Sequence, residues 1–207
     1  MPVSAGILGF MRLWSLILIC ALSAPSFALA QADPKADVRA LLVKASDQLQ
    51  KALAGVSEQQ WNYKAPNQKH TIGALAEHAA LSTNDLQQMV QRALDAGPDP
   101  DMAATLSGQT KVVRDVMLSV EQPPENFRPS GRLLTRADFE EYFPQARTKA
   151  LYQLDSAKYL EHSVARHPSK RIGDLTGVQW FYYIAYLLQA HTEQIGRIKA
   201  DPGYPKN

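Results

Sequence analysis

Two histidines have the type and placement to do chemistry together. His78 ends the stretch Thr71-Ile-Gly-Ala-Leu-Ala-Glu-His78, and its neighbours one helical turn away, Ala74, Leu75, Leu81 and Ser82, are small or apolar. His191 lies in YLLQAHTEQIGRIK, residues 186–199, on the same side as Ile184, Leu187, Leu188, Ile195 and Ile198. Residues three and four apart share one face of a helix, so both imidazoles point inward, each from its own helix. Inward side chains on facing helices are how helical bundles build metal sites. Catalytic zinc normally takes three protein ligands, and two are in hand. Without a metal, the same rings can satisfy each other or bond Tyr183, Ser82 or Gln194.

Other donors are less well placed. Gln194 stands one turn after His191 and offers an amide oxygen, a weak zinc ligand. Glu77 adjoins His78, but each helical residue turns by about 100°, which carries it off the inward face; Glu193 is similarly rotated from His191. His70, His162 and His167 fall near helix ends or in loops. The aromatic run Trp180, Phe181, Tyr182, Tyr183 and Tyr186 reads as core packing, where large rings contribute most. Glu140 and Glu141 are adjacent, diverge around the helix axis and read as a solvated face. The chain has no G-x-S-x-G, no H-E-x-x-H and no glycine-rich phosphate loop.

Helices must position these residues. Asp33-Pro34 is an N-cap followed by proline at the first helical position, and Gly55 is a suitable stop. Val38, Leu41, Leu42, Leu49 and Leu53 recur between them at helical spacing. A polar connector, Ser57 to Lys69, holds Trp61 and Tyr63. Thr71 caps a second helix whose apolar set is Ile72, Leu75, Ala79, Leu86, Met89 and Val90, ended by Gly97-Pro98. Residues 97–108 read as a loop, a shorter helix runs from about Thr110 to Val120, and proline-rich Gln122 to Gly131 reads as a second loop. Thr135-Arg-Ala-Asp138 opens a helix like a capping box and carries it to about His162; His167-Pro168 breaks the chain; Thr176-Gly-Val-Gln179 opens the last helix, which ends before Pro202. No run alternates long enough to predict a strand. The expected class is all-α, with four long amphipathic helices and one minor helix.

Residues 1–30 predict a cleavable secretory signal: Arg12, an apolar run from Leu13 to Ala24, and the cleavage pattern Ala28-Leu-Ala30 before Gln31. The run is shorter than the roughly 20 residues a membrane span needs, and Met11 offers an alternative start. Export predicts a periplasmic or extracellular single domain over residues 31–207, with no membrane span once the signal is removed. Arg12 is the only charged residue in that segment, so the exported chain keeps 21 basic against 20 acidic residues. Such a balance gives no electrostatic case for nucleic acid. The only cysteine, Cys20, leaves with the signal, which excludes a disulfide, a thiolate ligand and a cysteine nucleophile.

The segments WNYKAPNQKHTIGALAEHAALS, residues 61–82, and QWFYYIAYLLQAHTEQIGRIKADPGYP, residues 179–205, resemble the DinB/YfiT-like superfamily. That resemblance implies a DinB-like four-helix bundle, here with an additional short helix and long loops. It also implies a divalent metal, zinc or nickel, on three histidines. One comes from the second helix and two from an H-x-x-x-H pair on the last, usually followed by x-x-Q-I. His78 matches the first ligand, and Gln194-Ile195 sets the register that makes His191 the last. The remaining ligand position falls on Leu187, which cannot coordinate a metal, and His70 stands where relatives often have tryptophan. The implied function is a metal-dependent hydrolase or thiol-type transferase with a degenerate site. The alternative is a non-catalytic bundle that has lost the metal and binds a small molecule or protein, with a homodimer through apolar helix faces as a further expectation.

Overall fold

The computed structural model describes residues 33–119, 130–168 and 170–206; the signal segment and most of the proline-rich loop lie outside them. The chain is mostly helical, with seven helices among the described residues. Helix α1 (Pro34–Leu53) starts where Asp33 accepts a hydrogen bond from the Lys35 backbone N–H, and Gly55 follows it at φ +70°. Helix α2 (Glu58–Trp61) is a single turn inside the connector, closed by a capping box between Ser57 and Gln60. Thr71 caps α3 (Ile72–Asp95). Helices α4 (Pro100–Thr105) and α5 (Gln109–Ser119) come next, then α6 (Arg136–Ser156) and α7 (Gly177–Lys199). The capping boxes expected at Thr135 with Asp138 and at Thr176 with Gln179 are both formed.

Among the long helices, α7 packs on α1 and α3, α3 packs on α6, and α6 returns to α1, closing a ring of contacts; α5 lies against α7. The core inside this ring includes Leu42, Leu49, Phe139, Phe143, Leu154, Phe181, Ile184 and Leu188, all essentially inaccessible. No helix among the described residues is long and apolar enough to cross a membrane.

Three expectations need correction. Residues 97–108 are not only loop: Asp99 accepts from the Met102 N–H and Pro100 opens α4, repeating the Asp33-Pro34 start on a helix too short to show a period. The helix from Arg136 stops at Ser156, not near His162. Ala157 turns extended there (ψ 137°) and Tyr159 adopts φ 61°, a left-handed turn usually given to glycine. That turn drives Leu160 into the core, fully buried. Finally, a small antiparallel pair exists, β1 (Val164–Arg166) and β2 (Asp174–Thr176), in the register Val164↔Thr176 and Arg166↔Asp174. Three residues per strand leave too little alternation for periodicity to reveal.

Trp61 anchors the start of α3. Its indole N–H donates to the Leu134 carbonyl at 2.9 Å, and its ring lies 6.2 Å from Phe139. The indole passes so close to α3 that a Cβ on Gly73 would meet Trp61 Nε1 at 2.3 Å. Alanine normally gains about 1 kcal/mol over glycine inside a helix. Overpacking a buried contact costs about 1–3 kcal/mol, and Trp61, 1% exposed, has no room to retreat. Gly73→Ala therefore lowers stability in urea unfolding by up to about 2 kcal/mol net; a gain in stability would show that the indole does not hold this position.

Candidate functional site

Helices α3 and α7 bring the two inward histidines together. His78 and His191 are 5% and 2% exposed, and their ring centroids lie 4.9 Å apart, edge to face at 77°. The contact follows from the packing of α7 on α3, with each ring on the buried side of its own helix. Ser82, one turn after His78, places its hydroxyl 3.4 Å from His78 Nδ1. Gln194, nearly one turn after His191, accepts at Oε1 from His191 Nδ1 at 3.0 Å. With the proton on Nδ1, His191 Nε2 presents a lone pair. That atom is buried and has no hydrogen-bond partner among the described residues.

Burial controls the charge of the pair. It is the main cause pushing the His78 pKa down to about 3, with the charges of His191 and then His70 acting the same way. Burial also pushes His191 down to about 4, against the upward pull of its bond to Gln194 and with His70 again lowering it. A proton on His191 therefore opposes one on His78. Near neutral pH both rings are uncharged.

The remaining sequence candidates separate clearly. Leu187 is 2% exposed and part of the core, one turn before His191, so the position of the third implied ligand holds a buried hydrocarbon. Glu77 is buried, and its Oε1 accepts from Ser130 Oγ at 2.8 Å and from the Arg132 N–H at 2.7 Å, pinning the start of the 130–134 segment to α3. Glu193 and His162 are exposed. His70 is half-buried just before α3, near enough for its charge to act on both site histidines. His167 is buried away from the pair, its ring 5.2 Å from Trp180 and 4.9 Å from Tyr183. Trp180, Phe181 and Tyr183 are core residues, while Tyr182 and Tyr186 are half-buried and stacked at 6.1 Å. Glu140 and Glu141 are exposed, and Glu140 pairs with Arg136 at 3.3 Å.

The donor set can be tested against the metal that the resemblance implies. Among the described residues no group of three or more His, Cys, Asp or Glu side chains could hold a metal ion. His78 and His191 supply two nitrogen donors, and the side-chain oxygens of Glu77 and Gln194 are already accepting hydrogen bonds. The residues present do not fit a three-histidine zinc or nickel centre. No protein-family model, curated protein or solved structure matches the chain.

The low pKa values set a pH dependence with a definite sign. Between the folded values and the ordinary 6.5, the unfolded chain binds more protons than the folded one. Stability therefore rises with pH through this window and falls on acidification below about 6.5. His70, also lowered by burial and by Lys64 and Lys69, acts in the same direction. Each histidine contributes up to about 1.4 kcal/mol per pH unit. Urea midpoints measured from pH 7.5 to pH 5 should fall, and His191→Gln or His78→Gln should each flatten the slope by about one proton; an unchanged slope in both variants would contradict burial as neutral rings.

Proposed function

We propose that the protein is an exported four-helix bundle of the DinB/YfiT-like kind whose histidine site is degenerate and binds a ligand without catalysing a reaction. The four-helix part of this reading is supported by the closed ring of contacts among α1, α7, α3 and α6, with α2, α4 and α5 as additions. Export rests on the signal-like segment of residues 1–30.

One observation carries the binding site. Two neutral imidazoles touch in the core, and the acceptor nitrogen of His191 is buried without a partner among the described residues. A buried polar atom left unpaired costs about 1–3 kcal/mol, which a bound ligand would recover. Leu187 argues against catalysis at this place, because it removes the donor that would complete a catalytic metal site and closes that side with hydrocarbon.

A second reading, a hydrolase or thiol-type transferase with zinc or nickel on His78 and His191, is favoured by the same unpartnered nitrogen. Two protein donors fall short of the three that catalytic zinc normally takes, so the binding role is the stronger of the two.

Metal content separates them. Purified without a tag, the protein should carry neither zinc nor nickel in stoichiometric amount. Leu187→His places a third imidazole one turn before His191 on the same face; it should lower the stability of the metal-free protein, bind zinc, and regain stability when zinc is added. Stoichiometric zinc or nickel on the wild type, lost in His78→Ala, would decide for the metalloenzyme.

A further inference from the structure

We infer that the cavity beside the first turns of α1 and α7 is a binding site separate from the histidine pair, and that it takes a small organic cation carrying a primary ammonium group. Tyr182, which lines it, precedes His191 by a distance of roughly 13 Å along α7. The two sites are therefore independent, and the inference does not rest on the reading of the pair.

The cavity measures about 290 Å³, close to the lower end of the volumes that small-molecule sites occupy. Hydrogen bonds between elements tie its walls together. Gln179 donates from Nε2 to the Leu106 carbonyl at 2.6 Å, which joins α7 to the turn between α4 and α5. The Gly177 N–H donates to the Ser163 carbonyl at 2.8 Å and the Val178 N–H to the Leu160 carbonyl at 3.3 Å, which join α7 to the segment after α6. In that segment the carbonyl of left-handed Tyr159 accepts from the N–H groups of His162 and Ser163, each at 2.9 Å. The turn carries Glu161 to the cavity wall.

Charge identifies the ligand. Asp37 of α1 and Glu161 both line the cavity, and neither carboxylate has a hydrogen-bond or ion-pair partner among the described residues. The basic side chains flanking the cavity on α1 and α5 are engaged elsewhere: Lys35 donates to the Ala157 carbonyl, Arg39 pairs with Asp155, and Lys111 and Arg114 pair with Asp115. Lys158, exposed shortly before Glu161, makes no ion pair with it. An anion finds no donor at the start of α7, because the N–H groups there are spent: Thr176 on Gln179 Oε1, Gly177 and Val178 on the segment after α6, and Gln179 on Thr176 Oγ1. Tyr182 supplies an aromatic wall, and Asp37 lies near enough for its charge to raise the phenol's pKa, after burial as the main cause. An ammonium between a carboxylate and a ring is held by both. The hydroxyls of Ser107 and Thr110 can accept further N–H donors, while Ala103 and Val178 offer carbon surface to a short chain. That apolar side favours an organic cation over calcium, whose shell is made of oxygens.

Butylamine and 1,4-diaminobutane are the probes, with butanol as the neutral control. Each is titrated into the untagged, nitrogen-15-labelled protein while backbone amide shifts are followed by NMR. The expected result is saturable shifts at Ser107, Thr110, Glu161 and Tyr182 with both amines, weakened by added sodium chloride, and no comparable shifts with butanol. Asp37→Asn and Glu161→Gln change side chains that hold no other group, so both variants should fold, and each should weaken amine binding about tenfold. The wild-type titration decides the matter even if a variant fails to fold. Butanol acting as strongly as butylamine would overturn the ammonium as the recognised group. Displacement of both amines by equimolar calcium chloride would overturn the organic cation in favour of a metal. If neither amine shifts the cavity residues at tens of millimolar, the site itself falls.

Discussion

Helix α7 is buried on nearly every side, and the arrangement around it follows from that constraint. Fifteen of its 23 residues are buried, and it touches α1, α3, α5 and the β2 strand. A helix with so large an apolar surface lies mostly inside the molecule, so the other helices serve as its walls. Polar groups on such a helix have to be satisfied from within. Gln179 accepts from the Thr176 N–H and donates to the Leu106 carbonyl, while Thr192 donates to the Leu188 carbonyl. Two α7 atoms escape this rule among the described residues, Trp180 Nε1 and His191 Nε2. The first is an indole N–H whose ring stacks on His167, and the second belongs to the ring that packs edge to face with His78.

Much of the fold was legible because its signals are local. N-caps at Asp33, Thr71, Thr135 and Thr176 and the apolar period behind each placed the four long helices to within a few residues, apart from the end of α6. That end was illegible because no glycine or proline marks it. A left-handed Tyr159 does the work, and it is held by tertiary contacts: Leu160 is fully buried, and a Cβ on Gly177 would meet Leu160 Cδ2 at 2.6 Å. The β1–β2 pair was hidden for a related reason. Its strands are held by pairing with each other and by the bond from the His167 N–H to the Gly173 carbonyl, neither of which a short apolar pattern encodes.

At the site, helical period alone placed both histidines on inward faces, and their meeting needed only that α3 and α7 be neighbours. What spacing could not show was how the hydrogen bonds are divided. Tyr183, Ser82 and Gln194 were all open as partners; Gln194 takes His191, Ser82 sits beside His78, and Tyr183 lies against His167. Glu77 shows the limit of the angular argument. The turn of the helix does carry it off the histidine face, yet it remains 3% exposed, because the 130–134 segment folds over it and supplies its donors.

The pairing of Leu187 with His191 bears on why the site exists at all. Leucine at position 187 is the stable choice for a buried helix face, worth about 1.5–3 kcal/mol of apolar burial. By the same reasoning His191 is a poor choice, since its Nε2 forfeits a hydrogen bond in the folded chain and its ring must shed a proton to fold below about pH 6.5. Nor does the contact with His78 repair this: two neutral rings meeting edge to face leave Nε2 without a donor. A core optimised only for packing would replace both imidazoles with aliphatic side chains of similar volume, a change that is often neutral or stabilising for buried polar groups. On the proposed reading, the pair is a place where the fold gives up stability for an interaction completed from outside the chain, and Leu187 closes one side of it with hydrocarbon.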